Sequence, residues 1–464
     1  MAYIFNFRSQ LVYDTSVWHP DRRGLAYLEA SEYWEKDKTR YDLRQGNIED
    51  DELEAWLDQC GKFRATPKLS IRLLLCDRVG YIPMGFAMSN SSFDKIKQAF
   101  SLGDQVLPMF ISNMGQEMCS LNFSPEGDVP ETLEFTVKWP QMHRLGNCGL
   151  TYKHTFSTRQ TVGFLHGWDM VTQTAEITFE NEFHSYLSKF SSRIESAGSV
   201  RSHPMFLAIV HLSMHVFHAD IFRARLKYDL GRLENDLGVT KVAWMSGLPT
   251  TNFDGIERLI SSRRQRMSLT TELNSRTTDT AKFITVLQWI NRHCEYIQKH
   301  TEDIRRINPY STVAENREIE RQLEYVTSQA RSHLESAEEF KSRLELQLSV
   351  LYNFVAQVDN DVSMRIAYRA GLDGTAMKAL AYVTTIFLPP TFVATLFSMS
   401  MFDWQATTNS DSDSDSDSKS VVLVRQFWIY WVVSVPLTLA IFAGWRIWWR
   451  YQKSVLQDEY GMKQ

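Results

Sequence analysis

"AMKALAYVTTIFLPPTFVATLFSMSMF" spans Ala376–Phe402, and from Ala379 onward it carries no charge. About 20 helical residues cross the ~30 Å hydrocarbon layer of a bilayer, so the stretch is long enough to do so. It also holds Pro389 and Pro390 and a file of hydroxyl side chains. Proline is tolerated in membrane helices when neighbours or Ser/Thr hydroxyls satisfy the freed carbonyls, here those near Thr385 and Ile386. Thr384, Leu388, Thr391 and Thr395 recur at steps of four, three and four. With Met377 and Leu380 below them they share one helix face. Polar groups are disfavoured in lipid unless they face protein or water. The face is therefore either a pore wall or a row of hydroxyls bonded to their own helix or to a neighbouring one.

A second apolar stretch, Phe427 to Trp445, is bracketed by Trp428 and Trp431 at one end and by Trp445, Trp448 and Trp449 at the other. Such belts mark the two lipid–water interfaces. Arg365, Arg369 and Lys378 precede the first span, and Arg446, Arg450 and Lys453 close or follow the second. The connecting loop and its end hold only Lys419 and Arg425. The positive-inside rule then predicts both termini in the cytosol. The loop contains "NSDSDSDSDSKS", a low-complexity alternation that cannot pack a core. It reads as a solvated connector. Asp403, Asp411, Asp413, Asp415 and Asp417 could also draw cations to a pore mouth by electrostatic focusing.

Upstream, "NPY" at Asn308–Tyr310 ends one helix. From Glu315 the apolar stripe Ile319, Leu323, Val326, Ala330, Ala337, Phe340, Leu344, Leu351, Phe354 and Val358 has spacings near 3.5, as in a coiled-coil seam. No proline interrupts this pattern before Pro389; Gly371 and Gly374 are its weak points. Ser202–Gly238 reads as another long helix. On it His211, His215 and His218 lie at i, i+4 and i+7, a spacing that could hold zinc. No Cys or Glu stands beside them at the usual ligand spacings, so packed core histidines are the simpler reading.

Earlier segments alternate β-branched or aromatic residues with polar ones: Leu69–Cys76, Thr132–Trp139, Leu150–Ser157, Thr161–Trp168 and Ala175–Phe183. The last four follow closely, which predicts antiparallel neighbours. Ser91–Phe100 has a serine ahead of its apolar positions, as a helix start should. The N-terminal region is thus expected to be α/β or α+β.

The 464-residue chain has a net charge of −5, which gives no basic footprint for nucleic acid. Cys60, Cys76, Cys119, Cys148 and Cys294 stand singly, as expected of reduced thiols facing cytosol. The opening residues lack the apolar core of a signal peptide. There is no Walker loop, GxGxxG, GxSxG or HExxH, so the chain is not expected to be an enzyme or to need a cofactor.

The first span resembles the CorA family of divalent-cation transporters, in its divergent fungal-type branch. Met377-Lys378 and Phe387-x-Pro389-x-Thr391-Phe392 carry the likeness. The two-span C-terminus, acidic loop, basic tail and long preceding helix are similar as well. The resemblance implies a CorA-like funnel: a cytosolic α/β domain over residues 1–200 and long stalk helices over 201–375. A pore-lining span (376–402), an acidic loop (403–420), a second span (421–449) and a basic cytosolic tail (450–464) would follow. It implies a homopentamer in a lipid bilayer, most simply the plasma membrane, with Mg²⁺ transported and a candidate regulatory ion. Met377, Leu380, Thr384, Leu388, Thr391 and Thr395 would line the pore. Where the family closes this span with Gly-Met-Asn, the chain has Ser398, Met399 and Ser400. The departure leaves open a Zn²⁺, Co²⁺ or Ni²⁺ selectivity, or a non-conducting sensor or interaction protein on the same scaffold. Glu338, Glu339, Asp359 and Asp361 are stalk carboxylates that could hold a regulatory ion or simply be solvated.

Overall fold

The computed structural model describes residues 17–22, 24–35, 38–64, 68–79, 85–124, 129–142, 148–168, 170–171, 186–237, 262–399 and 427–459. The chain divides into two compact units, Met1–Phe354 and Val355–Gln464.

The first unit is built on a mixed sheet. Its strands are β1 (Leu25–Glu35), β2 (Lys38–Asn47), β3 (Lys68–Val79), β4 (Gly85–Phe86), β5 (Gln116–Phe123), β6 (Pro130–Lys138), β7 (Gly149–Thr155) and β8 (Gln160–Trp168). The order is β2-β1-β3-β8-β7-β6-β5, with β4 against β3. The expected succession β6–β7–β8 is antiparallel, while β3 and β8 run parallel at the centre. The strand expected at Ala175–Phe183 lies outside the described residues.

Both faces of the sheet are covered. Trp56 of α1 (Leu53–Leu57), Phe93 and Ile96 of α2 (Asn90–Phe100) and Phe110 of α3 (Val106–Ile111) pack with Leu74 and Phe164 on one face. Ser89 caps α2 by accepting from the Ser92 N–H. Four more helices follow the sheet, one short and three long: α4 (Tyr186–Ser196), α5 (Phe206–Leu237), α6 (Arg263–Ile307) and α7 (Val313–Phe397). Their apolar faces join Leu73, Phe135, Val137 and Leu150 in a second core. No boundary between compact units falls at residue 200, because sheet and helices bury the same core.

The helix break between α6 and α7 has a local cause. Asn308 caps α6, and its Oδ1 accepts the Tyr310 N–H at 3.0 Å. Thr312 and Glu315 then form reciprocal bonds, Thr312 N–H to Glu315 Oε2 at 2.8 Å and Glu315 N–H to Thr312 Oγ1 at 3.2 Å. This is a capping box, which satisfies two of the N–H groups orphaned at a helix start. Arg159, in the β7–β8 turn, donates to Glu315 Oε1 at 2.6 Å and ties the start of α7 to the sheet. The stripe from Ile319 to Leu351 is buried in the second core of the same chain. The seam read as a coiled coil is thus taken up within one chain as far as Leu351. Phe354 and Val358 are only half-buried.

The second unit contains the end of α7 and α8 (Phe427–Glu459). Gly371 and Gly374 do not interrupt α7, and Pro389 and Pro390 lie inside it. Both helices are long and apolar enough to cross a membrane.

Candidate functional site

The two apolar helices contact each other on one side of α7. The Tyr382 ring meets Trp445 edge-on at 5.2 Å and Phe442 at 6.2 Å. The Tyr430 hydroxyl donates to the Pro390 carbonyl at 3.1 Å. Low numbers on α7 therefore pair with high numbers on α8, and the pair is antiparallel. Pro389 and Val393 are the buried residues of this stretch. At about 100° per residue they fall within roughly 20° of Tyr382 around the α7 axis.

Met377, Leu380, Thr384, Leu388, Thr391 and Thr395 occupy the other side, within an arc of about 80° centred roughly opposite Tyr382. All six are exposed. The six share one side of the helix, and α8 leaves that side uncovered. Ser398 continues it, and Met399 follows; both are exposed just past the end of α7. Ser400 and Asp403, Asp411, Asp413, Asp415 and Asp417 lie outside the described residues.

The hydroxyls on this face share one bonding pattern. Thr384 Oγ1 donates to the Leu380 and Ala381 carbonyls at 3.0 Å, and Thr391 Oγ1 to Phe387 and Leu388 at 2.9 Å. Thr395 Oγ1 donates to Thr391 at 3.1 Å and Phe392 at 2.7 Å. Ser398 does the same towards Ala394 at 3.2 Å. A hydroxyl has one hydrogen and two lone pairs. Once the hydrogen is spent on the helix, each oxygen offers only acceptor capacity outward. Such a row suits a cation, or water that donates its hydrogens because a cation holds its oxygen.

The histidine trio has a different setting. Trp139, directly after β6, donates its indole N–H to His211 Nδ1 at 3.0 Å. His215 stacks on the same indole at 3.8 Å and 9°, and His218 meets it edge-on at 6.2 Å. The imidazoles surround a tryptophan instead of a shared point. Among the described residues no three His, Cys, Asp or Glu side chains are placed to hold a metal ion, so the zinc expectation for His211, His215 and His218 is not met. The aromatic packing continues through Trp289, which lies 5.9 Å from His215 and stacks on His293 at 4.9 Å.

Burial, then the neighbouring imidazoles and Lys138, holds His211 and His215 well below the ordinary histidine range. Burial, then Lys189 and Arg193, lowers His218 to about 3. These groups stay neutral when folded, whereas the unfolded chain protonates them below about pH 6.5. Their contribution to stability is therefore complete above that pH and is lost as pH falls toward 3. Each costs up to about 1.4 kcal/mol per pH unit in that window. Thermal unfolding of the detergent-solubilised protein is expected to shift to lower temperature between pH 7 and pH 5, with a shallower slope in His215→Phe. Equal slopes for the two proteins would refute the assignment.

No family model matches the chain. Over 83 residues it is 34% identical to notoamide biosynthesis cluster protein M' of Aspergillus versicolor. That stretch is 18% of this chain, and the chain spans only 16% of that relative's length. The full-length CmaX protein aligns over 92% of this chain and 99% of its own, at 10% identity and a TM-score of 0.35. A score at that level does not establish a shared fold.

Proposed function

We propose that the protein is an integral membrane transporter of divalent cations, with Mg²⁺ as the first candidate, working as a homopentamer whose pore wall is the Thr/Leu face of α7. The observation that carries this reading is the segregation of that face from the α8 contact. Six residues, three with hydroxyl oxygens and three apolar, are left open on the side away from Tyr382, Pro389 and Val393. The resemblance of Met377-Lys378 and Phe387-x-Pro389-x-Thr391-Phe392 to the CorA signature supports the same conclusion.

The chemistry follows from the ion. Mg²⁺ gives up water reluctantly, so a pore passes it with much of its shell in place. The outward lone pairs of Thr384, Thr391 and Thr395 accept hydrogen bonds from that water. Met377, Leu380 and Leu388 form apolar constrictions that close by dewetting. Asp403, Asp411, Asp413, Asp415 and Asp417 concentrate cations at the outer mouth. Both termini lie in the cytosol, by the balance of Lys and Arg around the spans.

Ser398-Met399-Ser400 favours a second reading. The family's asparagine ring presents carboxamide oxygens, and a serine hydroxyl is shorter and offers less reach to a hydrated ion. A scaffold that has lost conduction, or one selective for Zn²⁺, Co²⁺ or Ni²⁺, fits that change. Liposomes carrying the purified protein and a Mg²⁺-sensitive dye, held at an inward-negative potential, decide between the readings. Mg²⁺-dependent dye signal above protein-free vesicles is the expected result. Absence of uptake for all four ions, from protein shown by light scattering to be pentameric, would overturn the transport reading.

A further inference from the structure

A cleft of about 410 Å³ opens between α4, α5 and the early part of α7, wholly within the unit Met1–Phe354. Its floor is apolar: Phe206, Ile209 and Val210 from α5 and Val326 from α7. One wall carries the Arg193 guanidinium, half-buried on α4. Its volume lies in the lower part of the ~300–1,000 Å³ range of small-molecule sites, which are likewise mostly apolar with a few placed polar groups.

Arg193 is the feature that asks for a ligand. Its Nη1 donates to Ser213 Oγ, and Ser213 passes its own hydrogen to the Val210 carbonyl at 2.7 Å. A guanidinium has five N–H donors and stays charged at neutral pH. One hydroxyl does not satisfy it, and among the described residues no carboxylate lies within ion-pairing distance of it. Asp220, also in the lining, is already engaged: its Oδ1 accepts from Arg223 Nε at 2.9 Å and Nη2 at 2.7 Å, with His333 Nε2 at 3.8 Å. One turn before Arg193, the Lys189 ammonium sits 4.3 Å from the centre of the Phe217 ring, which also lines the cleft. The Arg193 guanidinium therefore faces an apolar floor, with no carboxylate paired to it among the described residues. Across from it, α7 offers Gln322 and a Gln329–Tyr325 pair, with the amide donating to the phenol at 2.9 Å.

We propose that this cleft binds a small organic carboxylate with an apolar body, the carboxylate on Arg193 and the chain or ring on Phe206, Ile209 and Val210. The planar guanidinium fork matches a carboxylate in a way that a point charge does not. An acyl chain drawn from the bilayer and a soluble aromatic acid share this chemistry, and the probes below separate them. The site is independent of the transport reading, since binding is measured without flux.

The test is calorimetric titration of the full chain in lipid nanodiscs, with octanoate and 3-phenylpropionate as probes and 1-octanol as the uncharged control. At least one acid is expected to saturate at one per chain, with 1-octanol at least about tenfold weaker. Preference for octanoate points to an acyl source, and preference for 3-phenylpropionate to an aromatic acid. Arg193→Gln is expected to weaken binding at least about tenfold and Arg193→Lys by less, since lysine keeps the charge but not the fork. Val210→Trp fills the cleft and should remove binding. Variants are compared only where their ligand-free melting matches wild type; if Val210→Trp melts early, the Arg193 pair decides alone. Failure of both acids to bind, or wild-type affinity in Arg193→Gln, would overturn the proposal.

Discussion

Thr391→Leu is expected to lower divalent-cation uptake into liposomes by at least about tenfold while leaving assembly and melting temperature unchanged. Thr391 lies between Leu388 and Thr395 on the face that α8 leaves open, and its hydroxyl hydrogen is already committed to the Phe387 and Leu388 carbonyls. Removing the oxygen costs the helix little, because such back-bonding adds little to helix stability. In the proposed pore the same change replaces a ring of acceptors by a second apolar ring next to Leu388, lengthening the segment that must wet before an ion passes. Thr385 supplies the control. It bonds in the same way, to Ala381 at 2.7 Å, but is half-buried toward the α8 side. Thr385→Val should therefore transport at close to the wild-type rate. Dye-loaded vesicles measure both variants, and size-exclusion with light scattering verifies assembly. Equal flux through Thr391→Leu and wild type would remove α7 as the pore wall. Equal loss in both variants would show that any change in this helix disables the protein, and the face assignment would fall.

How much of this could be read from the chain alone depended on whether the deciding contact was local. The break at Asn308–Tyr310 was legible because its cause is local: proline, a capping asparagine and a Thr/Glu box within a few residues. The α7 stripe was legible because its period is helical, but the pattern cannot name the partner, and up to Leu351 that partner is the chain's own α5, α6 and sheet. The strand β1 escaped detection for a different reason. β1 buries both faces, so Ala26, Leu28 and Ala30 alternate with Glu29 and Ser31, which are equally inaccessible. Glu29 is held there by Arg72, itself lying over the Trp56 ring at 4.3 Å, and neither partner is near in sequence. Glu29 therefore reads as solvent-facing until Arg72 is placed beside it.

The candidate sites divide along the same line. Steps of three and four put Met377, Leu380, Thr384, Leu388, Thr391 and Thr395 on one face without any structure. Which side of α7 the second span takes was not legible, because it rests on Tyr382, Pro389 and Val393, whose burial no spacing announces. The histidine file was legible as a face, but its meaning turned on Trp139, far away in sequence at the end of β6. The Arg193 cleft had no sequence signal, since an arginine on a short amphipathic helix looks solvated until the groups around it are known.

Leu388→Asn should act in the opposite direction to Thr391→Leu. Leu388 is among the most exposed apolar residues of α7 and lies on the uncovered face between Thr384 and Thr391. Among the apolar side chains assigned to the pore it has oxygen rings both above and below it. An apolar constriction closes by expelling water, and the barrier falls steeply once a hydrogen-bonding group lines it. Asparagine is close to leucine in size and shape, so packing against α8 is not disturbed, while its carboxamide can hold water in the constriction. Uptake into vesicles is expected to rise by about tenfold or more over wild type at the same protein density, with weaker discrimination between Mg²⁺ and other divalent ions. The outcome also separates the two functional readings. In a scaffold whose only lesion is a closed apolar ring, Leu388→Asn would turn on a flux that wild type lacks. In one that lost conduction at Ser398–Ser400, opening the Leu388 ring would leave uptake at background, and only Ser398→Gly combined with Ser400→Asn would restore it. If neither variant conducts, although both form pentamers, the α7 face is not an ion pathway, and its threonines serve the helix alone.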